Sequence, residues 1–149
     1  MLLEKKELGA FIRWLKKESV IDNSFNPKEK FSDRLKLQKY VFIAKFFGMD
    51  FGYSYTLYIH GPYSIELAND YYRELNTTTK SANFNPKFIE LVKGKSEEWL
   101  ELASTILMLK EDHPGIEKNE LKETIVGIKP WASEEDVENI IKELESYGI

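Results

Sequence analysis

The chain of 149 residues contains no cysteine and only two histidines. The first absence excludes disulfides, thiolate nucleophiles and cysteine-based zinc sites together. The second leaves His60 and His113 in separate segments, neither with a partner at H-E-x-x-H spacing, so no metal site is expected. No G-x-G-x-x-G, Walker-type or G-x-S-x-G run occurs, which removes the usual phosphate cradle and esterase nucleophile and leaves no cofactor to expect. Asp112 with Glu120-Leu121-Lys122 imitates the acidic-plus-E-x-K set of a nuclease. Those residues fall at a helix end and within a helix, whereas a hard cation needs oxygens that converge. Long apolar runs are missing as well. The most apolar stretch, Tyr40 to Met49, is interrupted by Lys45 and is far shorter than the roughly 20 residues that span a bilayer. The start, Met1-Leu2-Leu3-Glu4-Lys5-Lys6-Glu7, lacks the apolar block of a secretion signal, so the expectation is a cytoplasmic protein with no membrane partner.

What is present is a globular composition. Hydrophobic residues make up 42% and charged residues 31%, too apolar for a disordered tail and too charged for a membrane bundle. No repeat, low-complexity tract or linker divides the chain, and residues 1–149 are expected to form one domain. The net charge of −4 conceals an asymmetry: residues 1–50 hold 11 Lys/Arg against 7 Asp/Glu, and residues 51–149 hold 10 against 18. A nucleic-acid surface would therefore lie in the first third.

Periodicity predicts mostly helix. Leu8, Phe11, Ile12 and Leu15 mark one face of a helix from about residue 2 to 18. Ser32 or Asp33 is placed to cap a second helix that continues to about Phe47. Its apolar residues point in nearly every direction, which predicts a central, mostly covered element. From Phe51 to His60 the period becomes two, with Phe51, Tyr53, Tyr55, Leu57 and Ile59 on the core side of a strand. Residues 77–84 are the candidate ladder partner, with a hairpin inside 51–60 as the rival. Gly61-Pro62 then breaks the strand and Ser64 caps a helix on which Ile65, Ala68, Tyr72 and Leu75 share a face. A short helical turn near Phe88–Val92 follows, and then a long helix capped by Ser96 and stopped at His113-Pro114-Gly115. The last third is a helix pair, the first helix closed by Gly127 and the second capped by Ser133.

Two clusters are candidates for contact. Tyr53, Tyr55, Tyr58, Tyr63, Tyr71 and Tyr72 form an aromatic run that reads either as core with hydroxyls at its edge or as a stacking and anchoring surface. Tyr58 and Tyr63 fall on the polar side or in the turn and are the better candidates for exposure, with His60 beside them. The basic set Lys28, Lys30, Arg34, Lys36, Lys39 and Lys45 reads either as a solvated helix face or as cations for phosphate, Lys36 and Lys39 being the pair to test.

The run Leu35-Lys36-Leu37-Gln38-Lys39-Tyr40-Val41-Phe42, followed by Leu57-Tyr58-Ile59-His60-Gly61-Pro62-Tyr63-Ser64 and Glu66-Leu67-Ala68, resembles the uncharacterised YwgA-like prokaryotic proteins. More distantly it is similar to the Panacea domain of SocA-like antitoxins. The resemblance covers residues 33–75 by motif. It implies a winged-helix-like helical domain with a binding or antitoxin-like role and no established enzyme activity. From the residues themselves, Gln38 is expected to satisfy a backbone group at the strand end. The expected fold class is thus mainly α with a small β element, winged-helix-like. The expected function is a non-catalytic protein-interaction or regulatory module that uses Tyr58, His60 and Tyr63 to meet a protein partner. The alternative is a winged-helix DNA-binding regulator that uses Lys36 and Lys39.

Overall fold

A computed structural model describes residues 7–72 and 84–149. The fold is mainly α with a small β element. Among the described residues the order is α1 (Leu8–Lys17), α2 (Phe31–Ala44), β1 (Thr56–Tyr58), β2 (Gly61–Tyr63), α3 (Ile65–Tyr72), α4 (Pro86–Val92), α5 (Glu97–Asp112), α6 (Lys118–Ile128) and α7 (Glu134–Ser146). A 3-10 turn, Lys45–Phe47, extends α2. No helix among them is long and apolar enough to cross a membrane.

The serine caps read from the sequence form at three of the helices. Ser64, Ser96 and Ser133 each accept a backbone N–H three residues on, from Leu67, Trp99 and Asp136. Asn85 accepts from Lys87 N–H ahead of Pro86, whose missing donor is harmless in a first turn. The cap of α2 differs from expectation. The N-cap residue is Lys30, and Ser32 and Asp33 lie inside the helix. Asp33 instead accepts from Asn26 N–H at 2.9 Å and ties down the preceding loop, while the Ser32 hydroxyl donates to Glu97 on α5. Gly127 does not terminate α6, which runs on to Ile128.

The centre of the molecule is α5 rather than α2. Every residue from Leu100 to Met108 is buried, because α5 packs on α2, β2, α6 and α7. The helix α2 lies alongside, buried from Leu37 to Ala44. At the other side Phe11 of α1 meets Phe51 and Phe88 edge-on or tilted, with ring centroids 5.4 and 5.7 Å apart. Helix α3 turns Leu67, Ala68 and Tyr71 inward, and Ile65 and Tyr72, expected on its core face, are exposed.

The β element departs most from the alternating pattern. Residues 51–55 form no ladder: Gly52 takes φ +81° and its N–H donates to the Asp50 side chain. Ser54 N–H goes to Glu66, and the Tyr53 hydroxyl donates to Asp70 at 2.6 Å. Side-chain carboxylates thus take the N–H groups of Gly52 and Ser54 where a ladder was expected. The strand begins only at Thr56 and pairs with β2 in antiparallel register, Thr56 with Tyr63, Leu57 with Pro62 and Tyr58 with Gly61. Gly61-Pro62 therefore opens the second strand instead of breaking the first. Residues 77–83 of the expected partner lie outside the described residues.

Candidate functional site

The hairpin turn is built from Ile59 and His60, and neither has a positive φ. The left-handed residue is Gly61 at φ +103°. A Cβ there would also come within 3.2 Å of Thr105 Oγ1 and 3.4 Å of Ser104 Oγ on α5. Glycine is needed twice over, for backbone conformation and for close approach. Both hydroxyls are themselves satisfied by the Glu101 carbonyl, Thr105 at 2.7 Å and Ser104 at 3.2 Å, so the hairpin rests on a neutral polar step of α5. Pro62 stands in the next pair of the ladder and is buried.

Gln38 locks the exit of β2. Its Nε2 donates to the Ser64 carbonyl at 2.9 Å, and its Oε1 accepts Ser64 N–H at 2.8 Å, with all atoms buried. A side-chain amide thus completes both backbone bonds of one residue where the ladder stops, which is the role expected for it from the sequence.

The tip of the hairpin is held by charge. Lys129, at the end of α6, donates to the Ile59 carbonyl at 2.6 Å and pairs with Glu101 Oε2 at 2.8 Å. The other Glu101 oxygen lies 3.4 Å from His60 Nδ1. Lys129 and Glu101 are buried, and His60 is half exposed. One ion pair in the interior therefore joins the hairpin turn, α5 and the α6–α7 connection. Neither Glu101 nor Lys129 was singled out from the sequence. The available signal for Glu101 was a charge set directly between Leu100 and Leu102 in a strongly apolar helix.

A groove of about 570 Å³ opens between α2 and the hairpin. Phe31, Leu35 and Lys39, four residues apart on α2, form one wall, and the hairpin from Leu57 to Tyr63 forms the other. The rings of Tyr58 and Tyr63 stack with centroids 5.2 Å apart, and Phe31 meets the His60 ring edge-on at 5.9 Å. The apolar groups on this surface face outward: Ile59 is 84% exposed, Phe31 57% and Leu57 43%, although Leu57 and Ile59 had been expected on the core side. Tyr58, His60 and Tyr63 are thus brought together as expected.

The two lysines separate. Lys36 is half-buried and does not line the groove. Lys39, read from the sequence as part of a solvated helix face or as a cation for phosphate, is only 1% exposed. The reason is its place in the α2 sequence: it lies one turn after Leu35 on the face that meets the hairpin. Burial pushes its ammonium down to about 8, against the pull of Glu101 and Glu97 and aided by Lys129. Among the described residues no group of three His, Cys, Asp or Glu side chains is placed to hold a metal ion. No protein-family model, curated protein or solved structure matches the chain.

Proposed function

We infer that this chain is a non-catalytic protein-interaction or regulatory module, antitoxin-like in the sense that the YwgA and Panacea resemblance implies, and that it meets a protein partner through the hairpin and groove. The observation that carries this reading is the exposed apolar surface of Phe31, Leu57, Tyr58 and Ile59 on one side of the molecule. Contiguous outward-facing apolar groups with aromatic anchors are what partner surfaces offer and what isolated surfaces avoid. The rigidity of the hairpin supports the same reading, since Gly61, Gln38 and the Lys129–Glu101 pair hold it in place before any partner arrives.

The DNA-binding alternative has less cation to work with, because Lys39 is buried and the second helix of the last pair starts Glu134-Glu135-Asp136. Affinity capture from the native cell tests the choice. The wild-type chain should retain a protein that an Ile59→Asp variant of equal thermal stability loses. Identical captures by the two chains would refute the proposal. Nanomolar binding to one duplex, lost in Lys36→Glu, would transfer the function to DNA recognition.

A further inference from the structure

The groove has apolar walls and an incompletely partnered cation behind one of them. Around the hairpin base the buried charges are the ammonium groups of Lys39 and Lys129 and the carboxylate of Glu101, a formal excess of one positive charge. Glu97 is nearby on α5, half-buried and already accepting from Ser32. Lys129 has a carboxylate and a carbonyl for its ammonium, Glu101 and Ile59. Lys39 does not. Its Nζ folds back to the Leu35 carbonyl at 3.2 Å, an oxygen that also serves the ladder of α2. No carboxylate of the described residues lies within 4 Å of it. An ammonium has three donors, and a buried donor without an acceptor is costly. The side chain lines the groove, and its end torsions are free to turn Nζ from the Leu35 carbonyl towards a group bound there.

We propose that this groove is a binding site for an amphipathic monocarboxylate, whose apolar body lies between Phe31, Leu57 and Pro62 and whose carboxylate is held by Lys39. The volume of about 570 Å³ is within the range of small-molecule sites, and apolar walls with one oriented polar group are their usual make-up. The carboxylate supplies the missing acceptor and cancels the excess charge, so an anion is preferred over a neutral or cationic ligand of the same length.

The site shares the groove with the proposed partner surface but does not rest on that reading, and it is tested on the isolated full chain, so failure here leaves the partner reading intact. Octanoate, 1-octanol and octylammonium differ only in their head groups. Titrated into the 15N-labelled protein, octanoate should bind about tenfold more tightly than 1-octanol, and octylammonium most weakly. The shifts should centre on the amides of Leu35, Lys39, Ile59, Gly61 and Tyr63. Lys39→Met should erase the preference for octanoate and keep the binding of 1-octanol. A Leu57→Ser variant, altered at an exposed position, should weaken octanoate and 1-octanol together. Equal affinity for the three ligands in the wild type, shifts centred elsewhere, or a preference for octanoate that survives Lys39→Met would overturn the proposal.

Discussion

The α6–α7 pair and the corner formed by α2, the hairpin and α5 are built by opposite rules. In α7, Val137, Ile140, Ile141 and Leu144 face inward at helical spacing, and the acidic residues of its first turn are exposed beside the positive end of the helix dipole. At the corner the arrangement inverts. Leu57 and Ile59 face water, while Lys39, Lys129 and Glu101 are buried. A helix such as α7, whose buried residues are all apolar, is explained by stability alone. A region in which apolar groups are outside and charges inside needs another reason, and such conflicts between local preference and position concentrate at functional surfaces. On the proposed function, α7 is scaffold and the corner is the surface that meets the partner.

The largest effect expected from this contrast follows from removing Glu101. Its carboxylate is the direct counter-ion of the buried Lys129 and the nearest charge balance for Lys39. Glu101→Ala should therefore leave two interior cations uncompensated and lower stability by about 3–5 kcal/mol, read from urea unfolding. A loss under about 1 kcal/mol would mean that water already reaches the pair and that the corner is no interior at all.

Lys39 offers the opposite sign. Its ammonium titrates near 8 in the folded chain and near 10.5 when unfolded, so between those values the unfolded state holds a proton that the folded state has released. The unfolded state binding more protons means that stability rises with pH through that window, and the burial penalty is felt in full below about 8. Lys39→Met keeps the volume and loses the charge. It should be more stable than the wild type at neutral pH by about 2–3 kcal/mol, with the advantage shrinking as pH climbs from 8 towards 10.5. Parallel denaturation series across that range measure the gap. A constant difference would show that Lys39 does not titrate in it.

The same contrast decides how much could be read from the sequence. The helices were legible because the pattern of three to four residues and the serine caps act locally, and the roles of Ser64, Ser96, Ser133 and Gln38 stand as read. The strand from Phe51 was misplaced because alternation says nothing about competing partners. Asp50 and Glu66 take backbone N–H groups there, and Gly52 bends the chain. Tyr58, His60 and Tyr63 were legible as a group since they are close in sequence around one hairpin turn. The buried pair was not, because Glu101 and Lys129 are 28 positions apart and meet only through packing. Lys39 misled for a related reason: a charge on a helix is ordinarily solvated, and only the hairpin folded over it shows otherwise.

A smaller loss is expected at the point where hairpin meets helix. Gly61→Ala asks an L residue to hold φ +103° and presses a methyl group against Thr105. Stability should fall by about 1–2 kcal/mol. Gly94→Ala is the control, with a similar φ of +77° but open space around it. If the two variants melt together, backbone conformation accounts for everything and the contact with α5 contributes nothing; a further drop in Gly61→Ala isolates the contact.

The smallest effect is expected from an ion pair in the other region. Lys118 and Glu145 join α6 to α7 at 3.3 Å, only slightly longer than the 2.8 Å of Lys129 and Glu101, and their side chains are 47% and 50% exposed. Water competes for both partners, and holding two long side chains together opposes the modest attraction. Glu145→Ala should change stability by no more than ~0.5 kcal/mol, and added salt should shrink even that. The same carboxylate deletion is thus expected to differ several-fold between Glu101 and Glu145, although each removes one Lys–Glu pair. Urea unfolding of both variants at low and high salt measures it. Comparable losses would dissolve the distinction between a solvated scaffold and a charged interior corner, because burial would then have no bearing on what either pair is worth.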